Sequence, residues 1–189
     1  NYGGTPFTRT GGLSVTYTMS DGLGSNLVRA IAVAPDGRYI WFGGDGSLSL
    51  LDNRGTPFDT GDDCWVTYTV TASGLFTWTN VYNVVLDGSG CIWVATDRDL
   101  RVLDYGATPC DKRDDYWQTF DAVTCVRDLA RDWEGCWWLA TGDGVNRFYD
   151  GGTPLDKGDD IWQTFSPADG LASSDTWAVE INPITGHPW

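Results

Sequence analysis

The chain says nearly the same thing four times. Thr5-Pro6, Thr56-Pro57, Thr108-Pro109 and Thr153-Pro154 recur at spacings of 51, 52 and 45 residues. Independently, Trp41, Trp93, Trp138 and Trp189 recur at 52, 45 and 51. A period of this size marks an array of supersecondary units, none able to bury its apolar face alone, so that stacking on a neighbour makes the core. The repeats run approximately 3–53, 54–105, 106–150 and 151–189, within one domain spanning 1–189. Residues that recur are scaffold. Function has to lie in what differs between copies, or on a face that all copies share.

Each unit reads as short strands. In the second copy, Val81 to Leu86 is an apolar run closed by Asp87-Gly88-Ser89-Gly90; Cys91 to Thr96 follows, then Asp97-Arg98-Asp99 and Leu100 to Leu103. A polar loop from Asp104 to Asp115 precedes a last strand from Trp117 to Phe120. Runs of this length, rich in β-branched and aromatic residues and bounded by Gly, Asp and Pro, are strand signals. No 3.6-residue apolar period persists long enough for a helix. Four short antiparallel strands per unit of this length predict an all-β fold, a β-propeller built from four-stranded antiparallel blades. Blades pack face to face, and the 11 Trp supply the bulk. Trp41, Trp93 and Trp138 share one repeat position and Trp65, Trp117 and Trp162 another, so both sets are expected between blades. Trp78, Trp133 and Trp177 fall outside these registers and are the better candidates for a binding platform.

Val28-Arg29-Ala30-Ile31, Pro35-Asp36-Gly37 and Ile40-Trp41-Phe42-Gly43-Gly44-Asp45-Gly46-Ser47-Leu48 resemble the two-component-regulator propeller repeat. Copy two matches through Val81, Val84, Gly90, Ile92, Trp93, Ala95 and Thr96, and copy three through Val126, Leu129, Gly135, Trp137, Trp138, Ala140, Thr141, Asp143 and Gly144. Copy four has Asp169-Gly170-Leu171. Copy one departs at Gly44, where the family tends to have Thr, and copy two at Asp97-Arg98-Asp99, where D-G-L is usual. The resemblance implies a bacterial protein of the extracellular, cell-surface or periplasmic space, of the kind found in sensor regions of hybrid histidine kinases. It specifies architecture more than activity.

By analogy with WD-type propellers, Val28–Val33 and its counterparts are the innermost strands and Trp65–Thr69 and its counterparts the outermost. The chain then holds about 3.7 repeats: three complete blades, a lone outermost strand at Val15–Thr18 before them, and an innermost strand at Thr176–Ile181 after them. The expectation is a segment of a six- to eight-bladed ring, completed by further blades of the same propeller or by a partner.

The formal charge of −14, from 12 basic and 26 acidic residues, argues against a phosphate-binding surface, so no nucleic acid is expected. No apolar run is long enough to insert in a membrane. The spacing of the five Cys matches no zinc motif. Cys110 stands where other copies have Phe7, Phe58 and Leu155, which suggests burial as a small hydrophobe. One disulfide among Cys64, Cys110 and Cys125 is the alternative. Cys91 and Cys136 share a position on adjacent blades.

No catalytic residue is singled out. The one histidine, His187, occupies a repeat position. Propellers of the streptogramin-lyase type carry similar motifs and use a histidine base with a metal, a transfer that one histidine supports poorly. The most suggestive chemistry is D-x-x-D-D before each outermost strand: Asp59, Asp62 and Asp63; Asp111, Asp114 and Asp115; Asp156, Asp159 and Asp160. Two readings stand. Three carboxylates on a tight loop are candidate ligands for Ca2+, and the same acids serve as turn caps. Copy one, with Thr8-Arg9-Thr10-Gly11-Gly12, lacks them. Ligand binding is expected on the loops joining outermost to innermost strands, where Met19, Phe76, Trp78 and Ser174 are specific to their copies. The reading that follows is a non-enzymatic ligand-recognition, sensor or assembly scaffold with a protein or carbohydrate partner. The alternatives are a self-assembling subunit of a surface filament or sheet, and a propeller-based carbohydrate-active lyase or hydrolase.

Overall fold

Side-chain alternation and Gly/Asp turns lay the chain into hairpins, and within each sheet every strand pairs antiparallel with its neighbour in sequence. The computed structural model describes residues 13–69 and 80–189. Blade 1 is β1 (Val28–Val33), β2 (Tyr39–Gly44), β3 (Ser47–Asp52) and β4 (Cys64–Thr69). Blade 2 is β5 (Val81–Leu86), β6 (Cys91–Thr96), β7 (Leu100–Asp104) and β8 (Tyr116–Phe120). Blade 3 is β9 (Asp128–Arg131), β10 (Trp137–Thr141), β11 (Gly144–Tyr149) and β12 (Ile161–Phe165). Among the described residues helix is confined to two 3₁₀ turns, Lys112–Asp114 and Pro167–Asp169. No helix of the described residues is long and apolar enough to cross a membrane. β1 packs against β5 and β5 against β9, so the first strand of each blade lies at the hub, as the repeat pattern predicts.

The core lies between blades. In blade 1 the cross-strand row Ala32, Trp41, Leu50 and Val66 faces Ile92 and Leu103 of blade 2. In blade 2 the row Val85, Trp93 and Val102 faces Trp137 and Phe148 of blade 3. Trp93 and Trp137 are 4.4 Å apart between ring centroids, and Phe148 stacks on Trp162 at 4.1 Å. Such aromatic pairs contribute about 0.5–1.5 kcal/mol beyond the area they bury.

The polar loop before each outermost strand is a strap laid on the preceding blade. From blade 2's loop, Cys110 forms a disulfide with Cys64 of β4, with Cα atoms 6.3 Å apart. Lys112 Nζ donates to the Thr67 carbonyl of β4 and sits 4.6 Å from the centre of the Tyr68 ring. From blade 3's loop, Leu155 joins the apolar core in place of Cys110, and Lys157 lies over Phe120. Cys110 is therefore half-buried and covalently engaged, which corrects the reading as a buried hydrophobe and selects Cys64 from the alternatives. Cys91, Cys125 and Cys136 are free thiols.

Three expectations need correction. Trp41 and Trp93 are fully buried, but Trp138 is half-buried. Its face of blade 3 has no complete sheet against it among the described residues, so it stacks on Phe165 of its own blade and gives its indole N–H to Asp132. Trp65, Trp117 and Trp162 are also half-buried, because outermost strands lie at the rim, though Trp117 and Trp162 pack between blades as expected. Val15–Thr18 is not a strand: with no adjacent strand among the described residues, it is held by side chains, Tyr17 meeting Trp65 edge-on at 5.3 Å. Thr176–Ile181 takes the innermost-strand place, yet it forms only the isolated Ile181–Pro188 bridge. There Thr176 is tied by hydrogen bonds to Thr141 and Gly144, and the Val179 N–H to Asp128.

Candidate functional site

The acidic loops divide their carboxylates among separate tasks. The first Asp closes a turn on the backbone N–H two residues on: Asp59 to Gly61, Asp111 to Arg113 and Asp156 to Gly158. The second accepts the hydroxyl of the Thr-Pro threonine: Asp62 from Thr56, Asp114 from Thr108 at 2.6 Å, and Asp159 from Thr153. That hydroxyl holds the Asp114 carboxyl below the usual carboxylate range, and the Arg113 guanidinium does the same for Asp111. The third reaches across the blade boundary. Asp63 accepts from Tyr17 at 3.0 Å and Asp115 from Tyr68 at 2.6 Å. Burial, then Asp63, pushes the Tyr17 phenol up to about 12, and burial with Asp115 pushes Tyr68 up as well.

The third loop breaks this series. Phe120 holds the tyrosine position, so Asp160 has no phenol to accept from, and its buried Oδ1, like that of Asp63, has no hydrogen-bond partner among the described residues. Burial first, then Asp159 and Asp150, raises the Asp160 pKa. Among the described residues no three of the nine loop carboxylates offer oxygens within 4.8 Å of one another. Asp132, Glu134 and Cys136 do come that close, but Arg147 already pairs with Glu134 there at 2.6 Å.

Antiparallel order puts the β2–β3 turns and the links from outermost to innermost strands at one end of the sheets, the mouth. Met19 is there, 57% exposed in the turn after Thr18, as is exposed Ser174 on the link after β12. They lie on the first and last links, and no hydrogen bond or ring contact joins them. Phe76 and Trp78 lie outside the described residues. His187 is at the other end, in a turn where its carbonyl accepts from Asn182, the counterpart of the Asp87–Cys91 turn.

One repeat position at the mouth carries a pattern that reading along the chain did not reveal. It holds Arg29, Tyr82, Arg127 and Trp177 in turn. Arg29 pairs with Asp45 at 2.7 Å and lies 6.0 Å from the Tyr82 ring centre. Arg127 pairs with Asp175 at 2.6 Å and lies 4.2 Å from the ring centre of Trp177, which is 70% exposed. The mouth thus presents two guanidinium–aromatic pairs, each anchored by an aspartate. Trp177 falls outside the main Trp registers in the sequence, and the other three residues share its position once the four innermost strands are aligned. Trp133, the other such Trp among the described residues, is exposed at the opposite end, against Gly186.

Fold and repeat geometry define this protein as a β-propeller assembled from four-stranded blades. Residues 22–46 match the two component regulator propeller family. No curated protein sequence matches. Among solved structures it is similar to the extracellular domain of the hybrid two component system BT3049 of B. thetaiotaomicron, with a TM-score of 0.64 and 17% identity over 90% of this chain and 21% of that one. It is also similar to the extracellular domain of the one component system BT4673 of that organism, with a TM-score of 0.60 and 17% identity over 88% of this chain and 20% of that one. A third is PorZ, a surface component of the type-IX secretion system of Porphyromonas gingivalis, with a TM-score of 0.60 and 21% identity over 88% and 25% of the respective chains. The chain therefore spans about a fifth to a quarter of these structures' lengths, and the likeness is one of fold.

Proposed function

We propose that this chain contributes blades to an extracytoplasmic β-propeller that recognises a carbohydrate or protein ligand at its mouth and serves as a non-enzymatic sensor or assembly scaffold. The observation that carries the reading is the Arg29, Tyr82, Arg127, Trp177 alternation. Most of the repeat is scaffold, but this position changes chemistry from blade to blade, with Arg29 and Trp177 exposed and Tyr82 and Arg127 half-buried. Aromatic faces flanked by guanidinium groups suit a sugar ring or a peptide carboxylate. The inter-blade disulfide supports an oxidising compartment. The similar structures include extracellular domains of regulatory systems and a surface component, which agrees with that placement.

The test is a thermal-shift screen of neutral and acidic oligosaccharides and short peptides against the native chain and the Arg127→Ala/Trp177→Ala double variant. A ligand that stabilises the native chain and loses at least tenfold in affinity for the variant supports the reading. A ligand bound equally by both would move recognition elsewhere.

Exposed Ile31 and Val33 on the outward face of blade 1 favour a companion reading, that further blades stack there. Sedimentation of native chain and an Ile31→Asp/Val33→Asp variant tests whether that surface drives association.

A further inference from the structure

The two blade boundaries share an aromatic floor but not the group that lies over it. Between blades 2 and 3, at the end opposite the mouth, Trp137 packs on Trp93 with ring centroids 4.4 Å apart. The Arg131 guanidinium lies 5.3 Å from the centre of the Trp137 ring and donates to two carbonyls, that of Gly135 in its own blade and that of Asp87 in the blade before. A cation is built into this seam, with an aromatic face beneath it and a backbone oxygen from each side.

Between blades 1 and 2 the cation is missing and its surroundings are kept. Tyr105 packs on Trp41, the counterpart of Trp93, at 5.5 Å, and so takes the part of Trp137, whose own repeat position holds Ile92. The counterpart of Arg131 is Leu86, and those of the two accepting residues are Gly90 and Ala34. The Ala34 N–H bonds the Tyr39 carbonyl just as the Asp87 N–H bonds the Cys91 carbonyl, so the turns share one backbone arrangement. Where an arginine would lie there is a cavity of about 690 Å³, lined by Ala34, Tyr39, Leu86, Gly90, Ile92 and Tyr105 among others. That size admits a small organic group.

The charge around this cavity is negative. Exposed Asp36 lines its entry. Burial first, then Tyr39, Asp36 and Asp104, raise the Tyr105 pKa. Arg38 lies over the Tyr39 ring, but both carboxylate oxygens of Asp52 hold it and it is not part of the cavity wall.

We infer that the cavity between blades 1 and 2 is a binding site for a guanidinium or amidinium cation carried on a short apolar stem or ring. The cation lies over Tyr105 and donates to the Ala34 and Gly90 carbonyls, as Arg131 does over Trp137 at the next boundary. Its stem packs on Leu86 and Ile92, and Asp36 balances its charge. The site is at the opposite end of the strands from the mouth and stands independently of the ligand proposed there.

Two cations, each with a neutral counterpart of the same shape, are the probes: benzamidine against benzamide, and N-acetyl-arginine amide against N-acetyl-citrulline amide. Titration calorimetry gives the affinities, and the ring resonances of Tyr39 and Tyr105 report the place. At least one cation should bind about fivefold or more tightly than its neutral counterpart, the scale of one charge-assisted hydrogen bond, and should move both rings. Preference for benzamidine points to a free small molecule, and for the arginine amide to an arginine side chain of a partner. Leu86→Arg supplies the cation from within, as the next blade does, and should abolish binding. Asp36→Asn, an exposed change, should lower affinity for the cation and leave that for its neutral counterpart unaltered. Equal affinity for cation and neutral probe in both pairs, still Tyr resonances, or cation binding unchanged in Leu86→Arg or in Asp36→Asn would each overturn the inference.

Discussion

The hydroxyl of Tyr68, on the outermost strand of blade 1, donates to Asp115 of blade 2 at 2.6 Å, and Tyr17 makes the same bond to Asp63 one blade earlier. At the third boundary the pair is Phe120 and Asp160, and the bond is missing although the surroundings are kept. A lysine lies over the ring in both later cases, Lys112 over Tyr68 and Lys157 over Phe120. Phe120→Tyr should therefore restore the latch. The expected gain is about 1 kcal/mol, roughly 2–4 °C in melting temperature for a chain of this size. Tyr68→Phe should lose a similar amount or more, because it strands a half-buried carboxylate. Calorimetric melting of the two variants checks both signs.

The same aspartate sets a pH dependence. The folded state raises the Asp160 pKa, so it holds the proton more tightly than the unfolded chain does. Stability from this group is greatest at low pH, falls as pH climbs from the ordinary carboxylate value through the raised one, and stays lower above it. Asp52 runs the opposite way. Arg38 binds it at 2.7 and 2.9 Å and holds its carboxyl below the usual range, so its contribution is present at neutral pH and lost as pH falls through the lowered value. Asp160→Asn should raise stability at pH 7 and have little effect at pH 3. Chemical denaturation at the two pH values reads the difference.

Reducing the Cys64–Cys110 bond should destabilise the boundary between blades 1 and 2. The bridge closes a loop across a sequence separation of 46 residues, and losing such a constraint typically costs about 2–5 kcal/mol. Cys64→Ser should match the reduced native chain in melting temperature, and reductant should have no further effect on that variant.

Calcium would have to compete with hydrogen bonds that the loop acids already make. Melting of EDTA-treated protein is expected to be unchanged by millimolar Ca2+. A rise of several degrees, lost in Asp62→Asn, would place the ion in the loops instead.

The blades were legible because each repeat carries its own punctuation: Pro35-Asp36-Gly37 closes one hairpin and Asp45-Gly46 the next, so β1 to β3 could be drawn from residues alone. Trp138 was misjudged because a repeat position fixes where a side chain points, whereas burial depends on the sheet opposite. The tyrosine latches were hidden for a related reason. Tyr68 and Asp115 are 47 residues apart and belong to different copies, and only a strap folded back over the preceding blade brings them together. At the mouth, Met19 and Ser174 are each particular to a single loop, whereas Arg127 and Trp177 become meaningful as a pair across adjacent blades.

The disulfide makes the two seams of this fan mechanically unequal. Cys64 lies on the outermost strand, so the bond rivets blades 1 and 2 at the rim, while blades 2 and 3 are joined by packing and by hydrogen bonds such as Arg131 to the Asp87 carbonyl, with no covalent bond. A riveted seam cannot swing open like a book from its outer edge. Any breathing there must occur toward the hub, whereas the second seam can part along its whole depth. The space walled by Tyr39 and Tyr105 lies in the riveted seam, so its walls keep a fixed spacing on the outer side.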